Sequence, residues 1–154
     1  MINKNKILIL ISLLFVFNIN NLNASEQFNF DVTELEISDN GNVIKGYKRG
    51  TATTQDGLKI ESDNFHYDKK LNILNAYGNV KIIDSINDYI ILSEKITYVK
   101  NQEKIFTNGI TEAIIESRYE IKSKNVLFLK NEMILSSSEK STLKDRDLSF
   151  YKFE

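Results

Sequence analysis

The sequence contains no cysteine, no proline and no tryptophan, and it has a single histidine, His66. Without cysteine the chain can form neither a disulfide framework nor a thiolate metal site, and one histidine cannot supply the common zinc ligand sets. The charges nearly balance, with 20 basic and 21 acidic side chains, so the basic stripe that nucleic-acid binding needs is missing. We therefore predict no metal, no cofactor and no nucleic-acid partner.

Long apolar runs are also scarce, and the most apolar run, residues 7–17, lies near the N-terminus. It follows Lys4 and Lys6 and leads to a polar stretch that ends at the small residue Ala24, which is the pattern of a cleaved signal peptide. It is too short for a membrane-spanning helix, which needs about 20 residues. We predict a signal peptide over residues 1–24 and an exported, periplasmic domain over 25–154. An uncleaved N-terminal anchor is the alternative.

What the sequence does contain is a repeat with a period of about 31 residues. One unit is marked by Ile60, Ser62, Phe65, Tyr67, Leu74, Ala76 and Gly78, and the next by Ile91, Ser93, Ile96, Tyr98, Ile105, Thr107 and Gly109. Fainter copies begin at Phe30 and Ile121. A unit that cannot bury its own apolar face needs neighbours, so the period predicts about four stacked units. It also favours an extended binding surface over a catalytic pocket.

Side chains within each unit alternate with a period of two, which is typical of half-buried strands. The alternation slips once per unit, at 63–64, 94–95 and 124–125, which predicts a recurring β-bulge. Asn40–Gly41 and Asp56–Gly57 are typical of tight turns. We therefore predict an all-β domain, an open antiparallel β-jelly roll built from about four two-strand repeats, with a parallel β-solenoid as the alternative.

The inward positions of these strands form the candidate site. They are Ile60, Phe65, Tyr67, Leu74, Val80, Ile82, Ile91, Ile96, Tyr98, Ile105, Val126 and Phe128. Two interpretations stay open, the packed core of a closed sandwich or the wall of an apolar trough for acyl chains. Small residues on the same face, such as Ser62 and Ser93, favour incomplete closure. Gly78 and Gly109 are expected to face inward as well, where a missing side chain leaves room for a ligand or another backbone.

The segment from Ile60 to Asp68, followed by Asn75–Ala76–Tyr77–Gly78–Asn79–Val80, resembles the OstA-like repeat of the lipopolysaccharide-transport family. In that repeat an apolar residue, a small residue and Asp precede Tyr-Asp and then Ala-x-Gly-Asn-Val. The likeness covers most of residues 25–154 and is clearest from Gly57 to Ile114. The family includes the periplasmic protein LptA and the N-terminal domain of the outer-membrane protein LptD, and the choice between the two stays open.

The resemblance implies an open β-jelly roll whose inner groove carries the lipid A acyl chains of lipopolysaccharide across the periplasm toward outer-membrane assembly. It also implies that domains join end to end by pairing of edge strands. An LptD-like chain would associate with the outer membrane, but LptD carries cysteines beside this domain and this chain has none. The sequence stops within a strand-like pattern at Ser149–Glu154, so two interpretations stay open: a short LptA-like protein, or an LptD-like domain over 25–154 that is truncated at its C-terminal end.

Two other classes of function compete with a lipid conduit. A secreted structural or adhesive repeat protein without a lipid ligand would have a closed interior and would bind through its outer face. An enzyme is not expected, because His66 alternates with two inward aromatic residues and therefore faces solvent. Asp63 and Asp68 recur too weakly in the other units to form a paired catalytic set.

Overall fold

The structure is a computed structural model that describes residues 28–147, so the predicted signal peptide and the strand-like pattern at 149–154 lie outside the described residues. Eleven strands form one sheet: β1 (Phe28–Ser38), β2 (Val43–Thr54), β3 (Lys59–Ser62), β4 (Asn64–Asp68), β5 (Ile73–Asp84), β6 (Tyr89–Val99), β7 (Lys104–Ile115), β8 (Tyr119–Lys124), β9 (Leu127–Leu129), β10 (Ile134–Ser136) and β11 (Thr142–Asp145). The same described residues contain two short 3-10 turns, Asp39–Gly41 and Lys100–Gln102. Over residues 28–147, no helix is long and apolar enough to cross a membrane.

The strand order across the sheet is β1, β2, β3, β5, β6, β7, β8 and β11. Like β3, β4 lies between β2 and β5, while β9 pairs with β7 on one side and with β10 on the other. Each of these pairings is antiparallel, so the predicted all-β antiparallel fold is confirmed and the parallel β-solenoid alternative is wrong. The four two-strand units of the 31-residue repeat are β1–β2, β3/β4–β5, β6–β7 and β8/β9 with β10/β11.

Each unit is interrupted at the same level of the sheet, which we call the crease. Bulges lie between Val32 and Glu34 in β1, between Tyr77 and Val80 in β5, and between Ser93 and Lys95 in β6. At the same level Asp63 separates β3 from β4, and residues 125–126 separate β8 from β9. The parity slips predicted at 63–64, 94–95 and 124–125 are therefore confirmed.

The sheet folds over along the crease into two half-sheets. The first contains residues 28–32, 50–54, 80–84, 89–93 and 110–115 with β3, β8 and β11, and the second contains residues 34–38, 43–47, 73–77, 95–99 and 104–108 with β4, β9 and β10. Tyr89 and Phe128 lie at opposite ends of the strands, and a flat sheet would hold them about 30 Å apart at 3.3 Å per residue. Their ring centroids are 4.9 Å apart, because the half-sheets face each other.

The turns of both half-sheets meet at the side opposite the crease, which we call the mouth. The first half-sheet contributes the turns at 55–58, 85–88 and 116–118, and the second contributes those at 39–42, 69–72, 100–103 and 130–133. The chain thus runs continuously through the crease, while the mouth is closed by side chains.

Candidate functional site

The predicted inward residues line the space between the half-sheets. Directly opposed residues in an antiparallel pair point to the same face, so Ile60, Ile82 and Ile91 form one row across the first half-sheet. Tyr67, Leu74 and Tyr98 form a facing row in the second. All twelve candidate residues are at most 2% exposed: Ile60, Phe65, Tyr67, Leu74, Val80, Ile82, Ile91, Ile96, Tyr98, Ile105, Val126 and Phe128. Eleven of them belong to one packed apolar cluster, whereas Val126 is buried at the crease outside that cluster.

Aromatic rings join the two half-sheets across this interior. Phe28 in the first half-sheet packs edge-on against Tyr67 at 4.9 Å and against Tyr98 at 5.8 Å, measured between ring centroids. Phe30 packs in the same way against Phe65 at 5.8 Å. Edge-to-face pairs add about 0.5–1.5 kcal/mol each to the burial of their area. Sequence reasoning did not place Phe28 and Phe30 in the candidate site, although both continue the alternation of the first repeat.

Small hydroxyl side chains line the crease. Ser62 donates hydrogen bonds to the carbonyls of Asn64 at 3.0 Å and Tyr77 at 2.8 Å. Thr107 accepts a hydrogen bond from the amide of Val126 at 2.8 Å. Bulges leave backbone groups without ladder partners, and these hydroxyls satisfy some of them. The recurring serine therefore has a local structural role, whereas the sequence analysis connected it with incomplete closure.

The backbone conformation explains why positions 78 and 109 are glycine. Their φ angles are +79° and +88°, in the left-handed region that strongly favours glycine. A Cβ on Gly78 would lie 2.7 Å from Oδ2 of Asp63, and a Cβ on Gly109 would have no heavy atom within 4 Å. Asp63 also binds Arg49 at 2.9 Å and Asn79 at 2.7 Å. The expectation that both glycines make room for a ligand on the inner face finds no support in this geometry, since both form the bend at the crease.

An ion network spans the mouth. Asp56, in the turn between β2 and β3, binds Lys130, in the turn between β9 and β10. Lys130 lies 3.5 Å from Glu103, and Lys100 binds Glu103 and lies 3.8 Å from Asp56. Partial burial would raise the pKa of Asp56, but the hydrogen bond from Lys130 and the nearby positive charges outweigh it and lower the pKa to about 2. Sequence reasoning missed this network.

Two tyrosines lie beneath the network. Burial raises the pKa of both hydroxyls well above the ordinary value, and for Tyr98 the hydrogen bond to Glu103 adds to the shift. Tyr89 is enclosed and faces the carboxylate of Asp84, but its hydroxyl makes no hydrogen bond of ordinary geometry. Both hydroxyls are therefore neutral at physiological pH.

The apolar inner face extends to both edges of the sheet, where it is open to solvent. Leu35 and Ile37 in β1 are paired with inward positions of β2, yet they are 48% and 58% exposed. At the other edge Leu143 in β11 is opposite Ile121 and is 66% exposed. We call these the N-terminal shelf (Leu35 and Ile37) and the C-terminal shelf (Leu143 and Ile121). The half-sheets are offset, so each shelf extends beyond the facing layer.

The outer face carries exposed ion pairs. Lys122 binds Glu112 at 2.9 Å and Lys59 binds Glu61 at 2.8 Å. His66 lies between two buried aromatic residues and is itself half-buried. Among the residues that the structure describes, no group of three or more His, Cys, Asp or Glu side chains is placed to hold a metal ion. Two shallow grooves of about 400 and 360 Å³ follow the crease on either side of Ile110.

These features define a class of fold, an antiparallel β-jelly roll made by folding one sheet along a line of bulges around an apolar interior. The crystal structure of LptH, the LptA homologous periplasmic component of the conserved lipopolysaccharide transport device from Pseudomonas aeruginosa, is similar to this chain with a TM-score of 0.62. The match covers 76% of this chain and 93% of that chain at 12% sequence identity, so it shows the fold alone. No protein-family model and no curated protein matches the sequence. The predicted LptA-like fold is confirmed.

Proposed function

We propose that this protein binds lipopolysaccharide in the periplasm, holds its acyl chains between the two half-sheets, and passes it toward outer-membrane assembly without any enzymatic step. The observation that carries the proposal is the unbroken apolar inner face, which crosses the sheet and emerges on a shelf at each edge. The LptA-like fold supports it, because the similar LptH is a periplasmic component of a lipopolysaccharide transport device.

The energetics favour an amphiphile with several acyl chains. Because the inner residues are packed against one another, a ligand must replace the contacts that are lost when the half-sheets part. Each CH₂ group that is transferred from water contributes about 0.8 kcal/mol, so a chain of ordinary fatty-acid length contributes several kcal/mol. The sugar headgroup would stay at the mouth, where the side chains are charged.

Edge-strand pairing with a further jelly-roll domain would make the path continuous, and we include it in the proposal. β1 has a free edge in the described part of the chain, since its one partner there is β2. Leu35 and Ile37 present an exposed apolar surface beside that edge, and an exposed edge is a template for another strand. Such a partner would cover the N-terminal shelf and continue the inner face. An outer-membrane partner of this kind would place the protein at that membrane.

Photo-crosslinking tests the proposal. A photoreactive residue at Phe65, Tyr67 or Tyr98 is expected to label lipopolysaccharide, because these positions face the interior. The matched outward positions are His66, between two of them in β4, and Lys81 in β5, and neither is expected to label it. Equal labelling of the inner and outer sets would refute an interior binding site.

A structural or adhesive role without a lipid ligand is the second candidate, and the closed interior favours it, because a packed core needs no ligand. Thermal unfolding with increasing lipopolysaccharide separates the two functions. A ligand that binds the folded state raises the melting temperature with concentration. An unchanged melting temperature would favour the structural role.

A further inference from the structure

The ion network at the mouth connects turns that belong to different half-sheets. Asp56 is on the first half-sheet, while Lys100, Glu103 and Lys130 are on the second. The two lysine side chains are only 14% and 9% exposed, so each needs a carboxylate partner nearby. Asp56 is the member that reaches across the gap, and it is also the most exposed of the four, at 45%.

The network can divide without leaving a lysine unpaired. Lys100 binds Glu103, and Lys130 lies 3.5 Å from the same carboxylate. If Asp56 moves away with the first half-sheet, both lysines keep Glu103 and Asp56 enters water. Release of Asp56 therefore leaves neither lysine without a nearby carboxylate, which is what a releasable contact needs.

The network lies directly above the aromatic interior. The ammonium group of Lys100 is 5.7 Å from the ring centroid of Tyr98, whose hydroxyl donates to Glu103. Beside them Tyr89 packs on Phe128 with its hydroxyl enclosed and without a hydrogen bond of ordinary geometry. The ion network therefore covers the aromatic interior at the mouth.

We propose that Asp56 forms an ionic latch with Lys130 and Lys100, which holds the mouth shut in the ligand-free protein and releases when acyl chains enter the interior. The latch rests on the proposed function for its biological role, whereas its closing action is a property of the protein alone. An experiment can therefore refute the closing action of the latch without refuting the proposed function, and the reverse.

Thiol labelling in the absence of ligand tests the closing action, because the natural chain has no cysteine to interfere. With Ile91→Cys as a buried reporter, Asp56→Asn is expected to increase the labelling rate about fivefold, the factor that corresponds to losing one partly exposed ion pair. Asp39→Asn is the matched control, because Asp39 binds Lys70 at 2.8 Å between two turns of the same half-sheet. Equal acceleration by both substitutions, or by neither, would overturn the latch.

A reversible lock tests the role in binding. Asp56→Cys with Lys130→Cys, joined by a cleavable bis-methanethiosulfonate linker, is expected to lose lipopolysaccharide binding and to regain it on reduction. If the linked protein binds as well as the reduced protein, the latch is wrong while the proposed function stands. If the reduced variant and the natural protein both fail to bind lipopolysaccharide, the proposed function is wrong, and the labelling result alone decides the latch.

Discussion

Replacing Ile91 with alanine measures how tightly the interior is closed before any ligand binds. Ile91 is 1% exposed and lies between Ile82 and Ala113 on the inner face of the first half-sheet. The substitution removes three carbon atoms, which costs about 2.4 kcal/mol of transfer free energy at 0.8 kcal/mol each. A residual cavity of about 70 Å³ adds roughly 1.5 kcal/mol. We therefore expect Ile91→Ala to lower the free energy of unfolding by about 4 kcal/mol.

Ile110→Ala is the matched control, because Ile110 is also in a central strand but is 66% exposed. Both substitutions remove the same three carbon atoms from a strand inside the sheet, so the comparison isolates the effect of burial and packing. Urea unfolding of the two variants, followed by tyrosine fluorescence or circular dichroism, gives both free energies. We expect a difference of about 3 kcal/mol. A difference below about 1 kcal/mol would mean that the inner face is already open to water, and would refute the closed interior.

Four further substitutions test the crease and the mouth. Gly109→Ala should lower the free energy of unfolding by about 1–2 kcal/mol, because alanine disfavours the positive φ at this position. Gly78→Ala should lower it by about 1 kcal/mol more, because the added Cβ would displace Asp63. Equal losses for the two variants in urea unfolding would contradict this explanation. Ser62→Ala should lower the free energy of unfolding by about 1–2 kcal/mol, since it removes a buried hydroxyl that donates to two backbone carbonyls. An unchanged free energy of unfolding would contradict this role of the hydroxyl. The pKa of Asp56 is lower in the folded state, so its stabilisation is complete above pH 4 and is lost as the pH falls toward 2. Since Asp56 is 45% exposed, solvent screening reduces this stabilisation to about 1 kcal/mol. Asp56→Asn should therefore remove about 1 kcal/mol from the pH dependence of the free energy of unfolding in this range. An unchanged pH dependence would contradict the role of Asp56.

The repeat and its alternation were sufficient to predict the strands and the inner face. Phe65 and Tyr67 have the opposite parity to Ile60 and Ser62, and this slip predicted the bulge that the structure shows at Asp63. Local periodicity contains this information because each strand must present one side to the core. Whether the twelve inner residues contact a lipid stays a prediction.

Features formed by contacts between distant turns could not be predicted in this way. Asp56 and Lys130 are 74 positions apart, and each belongs to a turn with no periodicity of its own. The turn at Glu116–Ser117 was also missed, because both residues have positive φ without the glycine or asparagine that usually marks such a hairpin. The offset that exposes Leu35 and Ile37 depends on how the half-sheets cross, which the pattern within a strand does not record.

The central claim is that the half-sheets part at the mouth to admit acyl chains, and a distance across the mouth tests it most directly. Leu71 and Ile86 are exposed turn residues on opposite half-sheets, so spin labels on Leu71→Cys and Ile86→Cys would report opening by pulsed electron double resonance. We predict that lipopolysaccharide lengthens this distance, while the control pair at Leu71 and Asn101, within one half-sheet, stays unchanged. An unchanged Leu71–Ile86 distance with lipopolysaccharide bound would contradict the account.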